Sequence, residues 1–308
     1  MILDYNRLDP ELRAALAQMP PLDITRDNVA MIRAAMATRR TGTEVAVSVE
    51  RIPVTTGDGT VDVFVYRKSL RPGQPALLWI HGGGYIIGSA EDDRARTIAA
   101  ELDITVCSVD YRLAPEHPFP AGPEDCYAAL TWMVREASNL GIDAARIAIG
   151  GASAGGGMAA GVALMNRDRS NHPLRLQLLL YPMIDNLHDT PSGQYENHPV
   201  WNQGTSFRAW EMYLNGTPGP AASPYAAASR ATDLTGLPAA YICVGSEDLF
   251  RDEDVAYAHR LLAADVPCEL AVFPGLYHGG DMFVPGAAVS QRLHKSMLTA
   301  LADALRAR

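Results

Sequence analysis

A serine can become a nucleophile only where its backbone exposes the hydroxyl and a base can reach it, so the search starts at glycine-flanked serines. One stretch stands out. In Arg146-Ile147-Ala148-Ile149-Gly150-Gly151-Ala152-Ser153-Ala154-Gly155-Gly156 an apolar run enters G-x-S-x-G and leaves toward a helical pattern at Met158 to Asn166. A sharp strand-to-helix turn crowds both sides of the serine, which explains the small residues around it. The same turn aims the hydroxyl at a helix N-terminus, where free N–H groups can stabilise an oxyanion. A second glycine cluster, His81-Gly82-Gly83-Gly84-Tyr85, follows the apolar run Ala76 to Ile80. Three consecutive glycines let backbone N–H groups face a cavity with no side chain in the way, as an oxyanion hole requires.

A serine nucleophile on such a turn needs an acid and a histidine later in the chain, in that order. His172, His188 and His198 come too early to leave room for an acid from a later strand, and His259 and His294 fall in helical patterns. His278 remains. It follows the apolar run Glu269 to Phe273 through Pro274-Gly275-Leu276-Tyr277 and precedes Gly279-Gly280. The acid should leave the run Ala239 to Val244, whose end reads Gly245-Ser246-Glu247-Asp248-Leu249-Phe250-Arg251-Asp252. Glu247, Asp248 and Asp252 could each reach a histidine. Asp248 is favoured because a position just after the strand keeps the side chain on a rigid element, while Asp252 could equally cap a helix at Val255 to Ala264.

These residues need a scaffold that brings several strand ends together. Short apolar runs at Ala76 to Ile80, Ile104 to Val109, Arg146 to Gly150, Leu176 to Tyr181, Ala239 to Val244 and Glu269 to Phe273 alternate with helical stretches. That pattern predicts a mostly parallel α/β sheet with helices on both faces. Period-two alternation of Val45, Val47 and Val49, then Val61, Val63 and Val65, across Gly57-Asp58-Gly59 predicts an antiparallel hairpin. Residues 9 to 40 carry two amphipathic helical patterns, the first opening on Asp9 and Pro10. The last helix, Ala287 to Arg306, places Val289, Leu293, Met297, Leu301 and Leu305 on one stripe. Between 185 and 230 the alternation stops in a segment rich in Pro, Asn and aromatics, which reads as an insertion.

The chain has 308 residues, 48% of them hydrophobic, and a formal net charge of −9. That composition supplies one large core and disfavours nucleic acid and anionic membranes as partners. The four cysteines have no C-x-x-C spacing, so neither a metal site nor a disulfide framework is expected, and all four read as structural. The N-terminus lacks a basic segment followed by an apolar one, and no run approaches a membrane span. A soluble cytoplasmic protein is the expectation.

The chain resembles the hormone-sensitive-lipase-like, bacterial family IV carboxylesterases of the α/β-hydrolase superfamily. The similarity runs from about Val45 to the C-terminus. It is densest in His81-Gly82-Gly83-Gly84, in the stretch from Asp110 to Ala121 (DYRLAPEHPFPA), in Gly151 to Gly156, in Asp248-Leu249-Phe250-Arg251-Asp252-Glu253 and in His278-Gly279. The resemblance puts nucleophile, acid and base on Ser153, Asp248 and His278, and the oxyanion donors on the N–H groups of Gly83, Gly84 and Ala154. It also implies an α/β-hydrolase fold with a cap made of residues 1–40 and the insertion at about 185–230 on a catalytic domain of 41–308. Tyr85, Trp201, Phe207, Trp210 and Tyr213 would then line the substrate pocket. Three positions depart from the family pattern: Ala152 stands where many members have Asp, Leu249 where many have Pro, and Gly280 where an aromatic usually follows His-Gly. His81 and Glu116 read as loop-stabilising.

The implied activity is hydrolysis of short- to medium-chain esters through an acyl-enzyme, with no metal or organic cofactor. An amidase or carbamate hydrolase using the same residues is the nearest alternative, and a non-catalytic binding protein on the same fold the more distant one. The expected partner is a small-molecule ester, and a homodimer is admitted.

Overall fold

The computed structural model describes every residue except 17, 18, 20, 21, 38–44, 199, 307 and 308, so the expected boundary at residue 40 lies outside the described residues. Two short helices open the chain, α1 (Pro10–Leu16) and α2 (Val29–Ala37), followed by the hairpin β1 (Ser48–Thr56) and β2 (Gly59–Arg67). Then come β3 (Gln74–Ile80), α3 (Asp93–Leu102), β4 (Thr105–Val109), α4 (Ala121–Arg135), α5 (Ala137–Leu140), β5 (Ile142–Ala152), α6 (Ala154–Arg169) and β6 (Gln177–Leu180). The final third contains α7 (Gln203–Leu214), β7 (Ala240–Gly245), α8 (Arg251–Ala263), β8 (Cys268–Phe273), α9 (Gly280–Phe283) and α10 (Ala288–Leu305).

The strands form one eight-stranded sheet in the order β1-β2-β4-β3-β5-β6-β7-β8. β2 runs antiparallel to both β1 and β4, and every later pairing is parallel. Because β4 lies on one side of β3 and β5 on the other, the chain changes winding direction at β3. In open α/β sheets the crevice beyond the strand C-termini at such a point is where ligands bind. Strands β4, β6 and β7 are buried along their whole length, which requires cover on both faces. The packed helix pairs α3 with α10 and α4 with α6 supply it. The apolar stripe of α10 is buried at all five expected positions.

Several expectations shift. The hairpin turns at Gly57-Asp58, but Val49 is exposed, and Val54 faces the core on β1 while Val61, Val63 and Val65 do so on β2. β1 is an edge strand, so its inward side is set by pairing with β2 rather than by its own valines. α6 starts at once after Ser153 and α8 already at Arg251, because neither helix needs an apolar residue in its first turn. Cys107, Cys126 and Cys243 are buried and free, whereas Cys268 on the edge strand β8 is only half-buried.

The N-terminal segment is built into the fold. Asp9 caps α1 by accepting the Glu11 N–H at 2.9 Å, and its own N–H donates to the Gly275 carbonyl at 3.0 Å. Residue 1 to 5 atoms hydrogen-bond Gln194, Glu196 and Asn197 of the insertion. Arg33 of α2 donates to the Ile86 and Ala114 carbonyls and pairs with Glu116, so Glu116 does hold the first segment against the loops beyond β3 and β4. Leu12 is fully buried. Its Cδ1 lies 3.3 Å from the point a Cβ on Gly280 would occupy, so the N-terminal segment fills space that a larger residue after Gly279 would take.

Truncating Leu12 should therefore leave a cavity against the histidine loop and cost about 2–5 kcal/mol. The thermal midpoint of Leu12→Ala should fall by several degrees in differential scanning calorimetry. An unchanged midpoint would mean that α1 is not seated on the core.

Candidate active site

Ser153 sits between β5 and α6 with φ 57° and ψ −124°, a strained conformation for a residue with a side chain. The surrounding glycines are required by contact. A Cβ on Gly155 would come within 2.0 Å of the Ile80 carbonyl oxygen, and one on Gly157 within 1.9 Å of the Met183 oxygen. The turn is pinned by the Ser153 N–H to the Leu180 carbonyl at 2.9 Å and by the Met183 and Gly157 N–H groups to the Ser153 carbonyl.

Ser153 Oγ lies 2.9 Å from His278 Nε2, and His278 Nδ1 lies 2.9 Å from Asp248 Oδ2. The other Asp248 oxygen accepts the Phe250 N–H at 2.9 Å, which fixes the carboxylate in its loop. With Nδ1–H donating to Asp248, Nε2 is left as the acceptor facing the serine. The imidazole meets two rings edge-on, Tyr181 at 5.1 Å and Phe250 at 4.9 Å between centroids. The group is almost closed to solvent, with Ser153 8%, His278 5% and Asp248 0% exposed.

The two other acids do different work. Glu247 is buried and pairs with Arg7 of the N-terminal segment at 3.0 Å while accepting from Ser246. Asp252 accepts the Ser192 N–H at 2.8 Å and pairs with Arg251, so it ties the insertion to α8 and is not the cap of that helix, whose N-cap is Phe250.

The glycine loop abuts the serine: a Cβ on Gly82 would lie 3.3 Å from Ser153 Cβ. His81 Nδ1 donates to the Gly82 carbonyl at 2.8 Å, and its ring stacks on Tyr111 at 4.3 Å. In a planar trans peptide the N–H points opposite to the C=O. Holding the Gly82 carbonyl therefore turns the Gly83 N–H the other way. Gly83 and Gly84 adopt φ of 116° and 61°. Among the described residues the N–H groups of Gly83, Gly84 and Ala154 donate to no protein acceptor, as oxyanion donors must.

The aromatic residues of the expected pocket separate into two sets. Tyr85, Trp210 and Tyr213 form a buried stack, Tyr85 on Tyr213 at 4.0 Å, that fastens α7 to the glycine loop; Tyr85 also donates to the Met183 carbonyl. Trp201 lies over Gly84, and Phe207 is exposed on α7. Nothing in the spacing of the sequence marks Phe250, Tyr181 or Arg7 as neighbours of the site. The early histidines are structural: His188 contacts Ser206 Oγ at 2.8 Å, and His198 Nδ1 accepts the Val200 and Trp201 N–H groups. Burial pushes His188 down to about 4 and His198 down to about 3. Among the described residues no cluster of His, Cys, Asp or Glu could hold a metal ion.

These features, a strained serine between β5 and α6, a glycine loop after β3 and a histidine after β8, define an α/β-hydrolase site. The family model for the alpha/beta hydrolase fold matches residues 77–282. The chain belongs to this family, in its hormone-sensitive-lipase-like branch of esterases. It is 36% identical over 293 residues to the carboxylesterase NlhH of Mycobacterium tuberculosis, covering 91% of this chain and 92% of that protein. The carboxylic ester hydrolase LipN of the same organism is 34% identical, covering 91% and 78%. Among solved structures a bacterial heroin esterase superposes with a TM-score of 0.92 at 40% identity, covering 98% and 99%. EstE1, a carboxylesterase from a metagenomic library, does so at 0.81 and 31%, covering 92% and 96%.

Just behind the acid, α8 buries Glu253 and Asp254. Glu253 accepts the Ile184 and Asp185 N–H groups, while neither Asp254 oxygen has a hydrogen-bond partner among the described residues. Burial, reinforced by the neighbouring acids, pushes both well above the usual carboxylate range. The folded protein keeps the Asp254 proton above about pH 4, where the unfolded chain releases it, so this group lowers stability as pH rises. Asparagine carries no such penalty. The stability of Asp254→Asn relative to the parent should therefore grow with pH by up to about 1.4 kcal/mol per unit above about pH 4. Urea unfolding at pH 5 and pH 7 measures it; a difference that does not change with pH would contradict a protonated Asp254.

The three acids after β7 separate on rate. Asp248→Asn should lose on the order of 10⁴ in turnover. Glu247→Gln and Asp252→Asn should keep turnover within about tenfold and act on the thermal midpoint, since Glu247 ties the core to Arg7 and Asp252 ties it to Ser192 by contacts typically worth about 1–3 kcal/mol. A loss of four decades at either of these with an active Asp248→Asn would reassign the acid.

Proposed function

We propose that this carboxylic ester hydrolase works by two-step acyl transfer with Ser153 as nucleophile, His278 as base and Asp248 as the acid that orients it. The observation that carries the reading is the continuous line Ser153 Oγ, His278 Nε2, His278 Nδ1, Asp248 Oδ2, with both contacts at 2.9 Å. Oγ attacks the ester carbonyl while Nε2 takes its proton. The N–H groups of Gly83, Gly84 and Ala154 bind the oxyanion, and Asp248 stabilises the imidazolium. His278 then gives the proton to the departing alcohol. Water attacks the acyl-enzyme with the same proton transfers and frees the carboxylic acid and Ser153.

The substrates are small-molecule esters of short to medium acyl chain. Support comes from the cover over the site: α1 packs on the histidine loop, and Trp201 and Ala209 lie against Gly84. In this reading the N-terminal segment and the insertion at about 185–230 together form the cap. An enclosed site of this kind holds an acyl chain within a few hundred Å³ and gives no flat face to an oil–water interface.

A panel of nitrophenyl esters from acetate to palmitate tests both parts. Activity should peak at about C2–C8, and folded Ser153→Ala should lose a factor on the order of 10⁴–10⁶. Wild-type turnover in that variant would end the nucleophile assignment. An optimum at C14 or longer with interfacial activation would end the cap reading.

A further inference from the structure

A charged side chain is rarely buried unless it is paired, and one such pair holds Tyr181, whose ring meets His278 edge-on. Arg94, in the first turn of α3, donates to Asp281 Oδ2 at 2.6 Å and to the Tyr181 hydroxyl at 3.1 Å. Tyr181 donates to Asp281 Oδ1 at 3.1 Å, closing a three-membered ring of hydrogen bonds. The ion pair is nearly closed to solvent, at 11% and 7% side-chain exposure. The edge-on contact of the Tyr181 ring with His278 joins this cluster to the site.

The three residues come from three different connections. Arg94 follows the glycine loop and has its helix capped by Asp92, which also accepts from Trp79 Nε1. Tyr181 follows β6 with φ 36°, a left-handed conformation that is costly for a residue with a side chain. Asp281 is the second residue of α9, two positions beyond Gly279. A fully packed hydrophobic cluster would fill the same space at no desolvation cost, so a buried ion pair here needs a reason other than stability.

We propose that Arg94, Tyr181 and Asp281 are positioning residues for His278, a charge-neutral support that fixes the tilt of the imidazole between Ser153 and Asp248. The proposal rests on the reading of His278 as the base. Burial opposes the charge on Arg94, but Asp281, the Tyr181 oxygen and Asp92 outweigh it, so the guanidinium stays protonated across the working range. The other polar groups around His278 are Ser153 at Nε2, Asp248 at Nδ1, and His198, which meets Tyr277 edge-on and senses both Asp248 and His278. Glu253 and Asp254 lie behind Asp248. The Arg94–Asp281 pair sets opposite charges on the hydroxyl of Tyr181, whose ring meets His278, and removing either one leaves a net charge of known sign.

The test is the pH profile of kcat/KM for Asp281→Asn and Arg94→Met on nitrophenyl butyrate. Asp281→Asn leaves a buried cation that disfavours imidazolium, so the acid limb should move to lower pH. Arg94→Met leaves a buried anion that favours imidazolium, so the limb should move to higher pH, in each case by on the order of half a unit or more. Both should lose ten- to a hundredfold in kcat, the scale of a misplaced catalytic group. Shifts of the same sign, or no shift, in folded variants would overturn the proposal. Tyr181→Phe keeps the charges and the ring and decides the matter if the charge variants do not fold. At least a fivefold loss of kcat at unchanged KM with an unmoved limb supports the role, and a smaller loss overturns it. Ser153→Ala, run alongside, separates the two levels. If it is inactive while the profiles stay still, only the support role falls; if it is active, the reading of the base falls first.

Discussion

In the proposed mechanism the imidazole of His278 gains a proton in the transition state, so it has to be held by partners that suit both forms, and the fold sets Ser153 at one ring nitrogen and Asp248 at the other. The line from Ser153 through His278 to Asp248 joins the ends of β5, β8 and β7. No single loop could build it. The parallel sheet delivers all three loops to one edge, and the change of winding direction at β3 brings the glycine loop to the same place. The rest of the architecture can be understood as keeping those four connections within a few tenths of an ångström of one another.

Two kinds of contact do this. Around Ser153 the means is steric, since glycines at 151, 155 and 157 let α6 approach the backbone of β3 and the turn after β6 too closely for any side chain. Around His278 the means is polar and aromatic. Phe250 and Tyr181 pack edge-on against the ring, and Arg94 and Asp281 hold Tyr181. The N-terminal segment reaches both loops, through Arg7 to Glu247 and through Asp9 and Leu12 to Gly275 and Gly280. The N-terminal segment and the loops after β7 and β8 are therefore mechanically coupled.

Much of this was legible in the chain itself because glycine and apolar runs carry local rules. The strand runs were found to within a few residues, and Ser153, Asp248 and His278, chosen from loops at strand ends, do meet in the folded protein. What was not legible depends on contact between distant segments. The inward face of β1 is set by its pairing with β2, so the valine alternation misled at Val49. Asp252 has the residue type and place of a helix cap, yet its carboxylate turns to Ser192, sixty positions away. Tyr85, Trp210 and Tyr213, expected as pocket aromatics, pack against one another, Tyr85 stacked on Tyr213, a contact that no spacing in the chain announces. No spacing rule links Arg94 to Asp281, 187 residues later.

The central claim is that one serine, made reactive by this geometry, carries the acyl group. The most direct measurement is to inactivate the enzyme with a nitrophenyl phosphonate, digest it and locate the adduct by mass spectrometry. The account predicts one phosphonyl group per chain, on the peptide containing Ser153, appearing in step with loss of activity and absent from His278→Ala over the same time. Complete inactivation with Ser153 unmodified, or labelling at another serine in step with the loss, would contradict it.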